Sequence, residues 1–281
     1  AALGGNLSLI GAPGNLIAQS ALQNIGSGFG FFEYAKVGLP MLVCGILYFL
    51  TIGYKFLPNN SNSSEVGSIG EQRDYSHVPR WKQILSLVVL IATILGMIFE
   101  KQTGISLTVA GCIGALVLVI TGVLTEKQAY KAIDSQTIFI FGGTLALAKA
   151  LEMTGAGKLV ADQVIGLLGN NSSPFMLLVV VFALSVVMTN FMSNTATVAL
   201  LVPVSLSIAA GMGADPRAVL MATVIGSSCA YATPIGMPAN MMVLSAGGYK
   251  FVDYAKSGIP LIIVSTIVSL ILLPILFPFH P

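Results

Sequence analysis

Long runs of apolar residues, almost free of charge, recur along this sequence and limit its possible folds more than any other feature. A helix rises about 1.5 Å per residue, so roughly twenty residues cover the roughly 30 Å hydrocarbon layer of a bilayer. Residues 37–57, 84–99, 105–124 and 258–279 meet that demand, the second with Trp81 and Lys82 ahead of it as interfacial anchors. A soluble core could not hide a chain that is 55% apolar and only 9% charged, with a mean hydropathy of +0.89. The class is therefore an all-α integral membrane protein, multi-pass, with the lipid bilayer as its solvent. A net charge of +2 gives no basic excess for nucleic acid. Cys44, Cys112 and Cys229 lie far apart among apolar or small residues and read as packing residues rather than a metal cluster or a disulfide framework.

The other apolar segments are interrupted. Residues 125–134 form a short amphipathic stretch, with Thr125 placed as its N-cap, that reads as a surface helix before a crossing at 138–151. The run at 174–192 meets Ser193, Asn194 and Thr195 and then resumes at 196–212. Such a triplet reads either as an outer turn or as the tip of a re-entrant hairpin. No charge flanks it, and Thr189 and Asn190 add polarity to the approaching helix, which favours the hairpin. Residues 217–232 have a helical pattern that Thr233-Pro234-Ile235-Gly236-Met237-Pro238-Ala239-Asn240 must break before 241–246 resumes it.

An internal repeat is visible. Ile10-Gly-Ala-Pro-Gly-Asn15 is echoed by Ile235-Gly-Met-Pro-Ala-Asn240, and Glu33-Tyr-Ala-Lys-Val-Gly-Leu-Pro40 by Asp253-Tyr-Ala-Lys-Ser-Gly-Ile-Pro260. Five crossings separate Lys36 from Lys256, an odd number, so the copies are expected to enter the membrane from opposite faces as inverted repeats. The polar linker, with Lys55, Arg73, Arg80, Lys82, Lys127, Lys131, Lys250 and Lys256 on its side, is expected in the cytoplasm, opposite Lys36, Lys101, Lys149, Lys158 and Arg217. The expected organisation is the end of a first repeat over 1–57, a linker over 58–80 and a second repeat over 81–281. The second repeat comprises scaffold helices at 81–124, a surface helix and crossing at 125–168, a hairpin at 174–212, a broken helix at 217–246 and a last span at 257–279. The start at Ala1, without methionine, reads as a truncation, with an N-terminal portion of the first repeat missing.

Broken helices expose amides at one cut end and carbonyls at the other. If Thr195 opens a half-helix, its first amides, the Asn194 amide and the Thr195 hydroxyl can hold a carboxylate without a buried arginine. Oxygens around Thr189, Ser193 and Asn194, with carbonyls near Gly236, suit a hard cation such as Na+. Taken singly, these polar groups could equally bond neighbouring helices, and the prolines could be kinks. A Pro/Gly break in each half, in corresponding places, is what favours a binding site.

Together Ser193-Asn194-Thr195, Cys229 to Asn240 and Asp253 to Pro260 resemble the divalent anion/sodium symporter family of sodium-coupled dicarboxylate, citrate and sulfate carriers. The resemblance covers essentially the whole chain. It implies an elevator-type secondary transporter in the plasma (inner) membrane that works as a homodimer, moves a small anionic substrate with Na+ as coupling ion, and needs no organic cofactor. It places substrate on Ser193, Asn194 and Thr195, with Pro238 and Pro13 closing the site. It assigns one sodium site to Thr189, Met192, Asn194, Gly236 and Pro238, and a second in part to Gly11. Where many members carry Thr-Pro-Pro-Asn, this chain has Ala12-Pro13-Gly14-Asn15 and Met237-Pro238-Ala239-Asn240, one hydroxyl fewer in each loop, which leaves the anion and sodium or proton coupling open.

Three other classes make distinct demands. An arsenite or sodium/proton exchanger would call for an aspartate pair within the membrane, whereas Asp134, Asp162, Asp215 and Asp253 sit at segment ends. An enzyme would need a motif such as G-x-S-x-G or H-E-x-x-H; neither occurs, so no catalytic residue is expected. A non-transporting membrane subunit predicts that Asn194→Ala leaves ligand affinity unchanged.

Overall fold

A computed structural model of the protein describes residues 2–57, 78–133, 173–237 and 249–279, together with 239, 240, 243, 244 and scattered positions between 135 and 163. In chain order its long or well-defined helices are α1 (Ala2–Gly5), α2 (Pro13–Gln23), α3 (Ala35–Thr51), α4 (Arg80–Ile98), α5 (Glu100–Thr103), α6 (Leu107–Ile120), α7 (Glu126–Ala132), α8 (Pro174–Thr189), α9 (Asn194–Met212), α10 (Pro216–Ser227) and α11 (Phe251–Leu276). The described residues contain no β-strand. They divide into two compact units, residues 68–136 and residues 1–67 with 137–281.

In the smaller unit α4 and α6 pair through small residues. A side chain at Gly96 would touch Ala110, one at Gly111 would touch Met97, and Gly114 packs onto Thr93. Membrane helices associate in this way because lipid offers no hydrophobic drive between them and close backbone approach must supply the attraction. Lys82 donates to the carbonyl of Gly122 at 2.6 Å, beyond the end of α6, while lying 5.4 Å from the Trp81 ring. Thr125 and Gln128 form a reciprocal capping box that starts α7 where expected.

The larger unit surrounds α10. That helix has twelve residues, and every side chain from Ala218 to Ser227 is buried. It packs between α8 and α9, and Gly226 allows it to lie against the Phe182 carbonyl and Ser185. A Ser205–Thr223 hydroxyl bond of 2.9 Å ties α9 to it. Against α3, α11 turns Gly258, Leu261, Ser265, Ser269 and Leu273 inward and leaves Ile259, Ile263, Ile267, Ile271 and Ile275 exposed, the last by 69%. Small and polar residues inside with isoleucine outside is the reverse of a soluble helix and fits a hydrocarbon solvent. By length and composition α4, α9 and α11 can each cross a membrane.

Several boundaries differ from those expected. The span placed at 37–57 ends as α-helix at Thr51 and continues as a 3₁₀ turn, Gly53–Phe56. The last helix starts at Phe251 rather than near 257, because the Asp253 carboxylate accepts from the Lys250 amide at 2.8 Å and caps it. The helical pattern over 217–232 stops at Ser227, five residues early. The hydroxyl of Thr189 takes the Ser227 carbonyl and the Asn190 amide takes that of Cys229, acceptors that continued helix would have used. The linker from 58 to 77, Pro238, and most of the expected segments at 138–151 and 241–246 lie outside the described residues.

Candidate functional site

The hairpin over 174–212 turns at Asn190–Ser193, where Ser193 caps α9 by accepting from the Ala196 amide at 3.2 Å. Asn190 joins this turn to the broken segment after α10. Its Nδ2 donates to the carbonyls of Val186 (2.8 Å) and Cys229 (3.2 Å), and its Oδ1 accepts from the Ala232 amide at 3.0 Å. The Thr233 hydroxyl donates back to the Asn190 carbonyl at 2.6 Å, and Gly236 lies on the carbonyl of Thr189. The turn at 190–195 is thus packed against the segment at 229–236, most of which is buried.

The two repeated loops share their internal bonding. Asn240 Nδ2 donates to the carbonyls of Ala230 (2.8 Å) and Thr233 (3.0 Å), ten and seven residues back. Asn15 Nδ2 donates to the carbonyls of Gly5 (3.1 Å) and Ser8 (2.9 Å), at the same two offsets. The Tyr254 hydroxyl then donates to the Asn240 carbonyl at 2.6 Å, and that of Tyr34 to the Asn15 carbonyl at 3.3 Å. Gly258 packs on the Tyr231 carbonyl as Gly38 packs on the carbonyl of Asn6. Each loop is therefore held by one asparagine, one tyrosine and one glycine at matching positions.

The first loop and the start of α2 meet α9 at Asn194. The α2 N-terminus has Pro13 at its first position and Ala12 as a cap with no side-chain hydrogen bond, so its first-turn amides keep no side-chain acceptor. Gly14 brings this end against α9, where a Cβ would stand 2.9 Å from Val198 Cγ2 and 3.2 Å from Asn194 Oδ1. That oxygen accepts from Ser227 Oγ at 3.0 Å. Among the described residues neither Asn194 Nδ2 nor the Thr195 hydroxyl has a hydrogen bond, and both residues are partly exposed. Two helix starts and two unspent side-chain donors thus gather in one place, with no cationic side chain among the described residues there.

Of the expected residues, Ser193, Asn194, Thr195 and Pro13 fall at these two helix starts, and Thr189 touches Gly236. Met192 belongs to the hairpin turn, Gly11 packs on the Gly5 carbonyl within its own loop, and Pro238 is outside the described residues. Asn15, Asn240, Asn190 and Ser227 were missed as supporting residues. The repeated final asparagine of each loop block was the available signal for the first two.

A separate ionic cluster closes one end of the larger unit. Arg217 donates to both Glu33 oxygens at 2.7 and 2.8 Å, and its guanidinium stacks between Phe29 and Phe277 at 5.8 and 5.9 Å. Burial raises the Glu33 carboxyl's affinity for protons. The Gly30 amide, Arg217 and Lys36 outweigh that effect and hold it below the usual carboxylate range.

Membrane-length helices and a hairpin turn packed on a broken helix, with uncharged donors gathered at Asn194, are features of a membrane transport protein. The profile of the citrate transporter family matches residues 1–217 and, in a second alignment, 94–280. The chain belongs to that family. An uncharacterized transporter of Methanocaldococcus jannaschii is 31% identical over 274 residues, 95% of this chain and 60% of its own length. The uncharacterized transporter YfbS of Escherichia coli is 35% identical over 171 residues, 61% of this chain and 28% of its own. The sodium-dependent dicarboxylate transporter SdcS of Staphylococcus aureus is 25% identical over 296 aligned positions, 98% of this chain and 56% of its own. The chain spans 60% or less of the length of these relatives.

Proposed function

We propose that this chain forms the substrate-holding part of a secondary transporter that moves a small di- or tricarboxylate together with sodium. The observation that carries this reading is the meeting of the α2 and α9 N-termini at Asn194, whose amide nitrogen and neighbouring Thr195 hydroxyl are unspent. Helix starts carry partial positive charge and free N–H groups, so such a point attracts carboxylate while costing no buried cation. Asn194, Thr195 and Ser193 hold the anion, with the loops around Pro13 and Pro238 closing over it. Sodium takes the oxygens of Thr189, Met192, Asn194, Gly236 and Pro238, and a second ion uses Gly11. The Thr189 hydroxyl suits this role because its proton goes to the Ser227 carbonyl, leaving its lone pairs for a cation.

The wider reading is an inverted-repeat protein, homodimeric, in the plasma membrane, whose larger unit carries substrate past a scaffold formed by the helices at 81–124. The compactness of residues 68–136 and the matched loop bonding favour it. Lys36 and Arg217, both expected on the outer side, share the Glu33 cluster and so lie together. Uptake of labelled succinate, citrate and sulfate into proteoliposomes holding the complete gene product, with and without a sodium gradient, tests the reading. One of these anions should accumulate only with the gradient, and Asn194→Ala should raise its KM at least about tenfold, the order expected for a charge-assisted bond. Accumulation of none would remove the reading, and sodium-independent accumulation would remove its coupling ion.

A further inference from the structure

Gly14 lies where the first loop touches the second repeat. The structure records what a larger residue there would meet: Val198 Cγ2 at 2.9 Å and Asn194 Oδ1 at 3.2 Å from the position of its Cβ. Both neighbours are fixed. Val198 is wholly buried and β-branched, with a single preferred rotamer in a helix, and Asn194 is held by Ser227. In the same first turn of α2, the Asn15 side-chain oxygen is buried without a donor among the described residues, and the amides have no side-chain cap.

We infer that Gly14 and Val198 form a knob-and-hole pair that sets the distance between the α2 N-terminus and the Asn194 amide, making Gly14 a positioning residue for the anion. The inference rests on the transport reading above and adds to it a specific determinant of affinity. A methyl group at position 14 must gain about 0.6 Å before its contact with Val198 reaches an ordinary separation. Binding constellations tolerate displacements of only about 0.5 Å, so an anion bridging the two helix starts loses one of its partners. The hole is on α2 and the knob on α9, so removing the knob should undo the damage done by filling the hole. A residue that merely stabilised the fold would show no such reciprocity in substrate affinity.

The experiment compares wild type, Gly14→Ala, Val198→Ala and the double variant in the complete gene product, measuring KM and maximal uptake in proteoliposomes with whichever of succinate, citrate or sulfate the wild type carries. Gly14→Ala should raise KM about tenfold while maximal uptake stays within about twofold, and the double variant should return KM to within about threefold of Val198→Ala. An unchanged KM in Gly14→Ala, or a double variant no better than Gly14→Ala, overturns the inference while leaving the transport reading in place. If Gly14→Ala fails to reach the membrane, the double variant alone decides: it lacks the shortest contact, that with Val198 Cγ2, and must transport, and its failure also overturns the inference. A wild type that carries none of the three anions removes the transport reading itself.

Discussion

Replacing Asn190 by alanine isolates the bonds that hold the hairpin turn to the broken helix. The substitution removes the donor to the Val186 and Cys229 carbonyls and the acceptor for the Ala232 amide; the Cys229 carbonyl keeps the Tyr231 amide, so the Val186 carbonyl and the Ala232 amide are the two groups left unpaired. The Thr233 bond to the residue-190 backbone carbonyl survives. A buried polar group left unpaired costs about 1–3 kcal/mol, which for two groups suggests about 2–6 kcal/mol. Polar contacts between membrane helices average only about 0.6 kcal/mol, because the unfolded chain in the membrane finds other partners. The Ala232 amide belongs to a stretch broken by Pro234 and Pro238, where helical partners are not restored on unfolding, so the discount is partial. About 2–3 kcal/mol is therefore expected, a fall of about 4–8 °C in Tm for a chain of this size. Thermal unfolding of the detergent-purified protein measures it. Thr51→Ala is the control, since its hydroxyl returns to the carbonyls of its own helix and is exposed. A fall no larger than that of the control would show that the hairpin does not depend on Asn190.

Arg217→Ala should cost about 1–2 kcal/mol by leaving the half-buried Glu33 carboxylate with only the Gly30 amide and the longer Lys36 contact, read as a lower unfolding midpoint at pH 7. Because the Glu33 carboxyl titrates below its unfolded value near about 4.3, the pair's contribution is complete above that pH and disappears as pH falls through the folded value. The difference between wild type and Arg217→Ala should accordingly shrink on acidification, and a difference that stays constant down to the acid limit of folding would contradict the ion pair as its source. Gly236→Ala places a methyl group against the Thr189 carbonyl and 2.8 Å from the Ala230 side chain. It should lower Tm by several degrees and, if the proposed cation site is right, raise the sodium concentration needed for half-maximal uptake, whereas a change in Tm alone would detach Gly236 from that proposed site.

What local chemistry controls could be read from the residues; what distant contacts control could not. The interruptions at 193–195 and 233–240 were legible because serine caps and prolines act on their own backbone. The early stop of α10 at Ser227 was not, since no breaker stands between 228 and 232. It is ended by Thr189 and Asn190, 38 and 39 residues earlier in the chain. Glu33 and Arg217 are 184 residues apart, and nothing near either announces the other. Gly14 was visible only as a departure from a family pattern. That it seats Val198 and brings the α2 start against Asn194 required coordinates.

The matched asparagines bear on why the proposed site would favour anions. A break in a buried helix strands carbonyls and amides alike, and each stranded group in a low-dielectric interior is costly. In both loops the carbonyls are served by a side-chain amide reaching back seven and ten residues. At the helix starts near Asn194 only the Ala196 amide has a side-chain acceptor, Ser193; the α2 start has none. The imbalance leaves unspent donors, a positive potential made without a cationic side chain. Exchanging either clamp for its isosteric acid tests this. Asn240→Asp or Asn15→Asp turns two donors into acceptors facing two carbonyls, so the acid must bind a proton and still serves only one of them. Each variant should lose about 2–3 kcal/mol at neutral pH and recover part of it on acidification, the reverse of the Glu33 trend. The two losses should agree to within about 1 kcal/mol because the two geometries coincide. Sensitivity at only one position would mean that the loops share a sequence pattern and a hydrogen-bond geometry but not an energetic role.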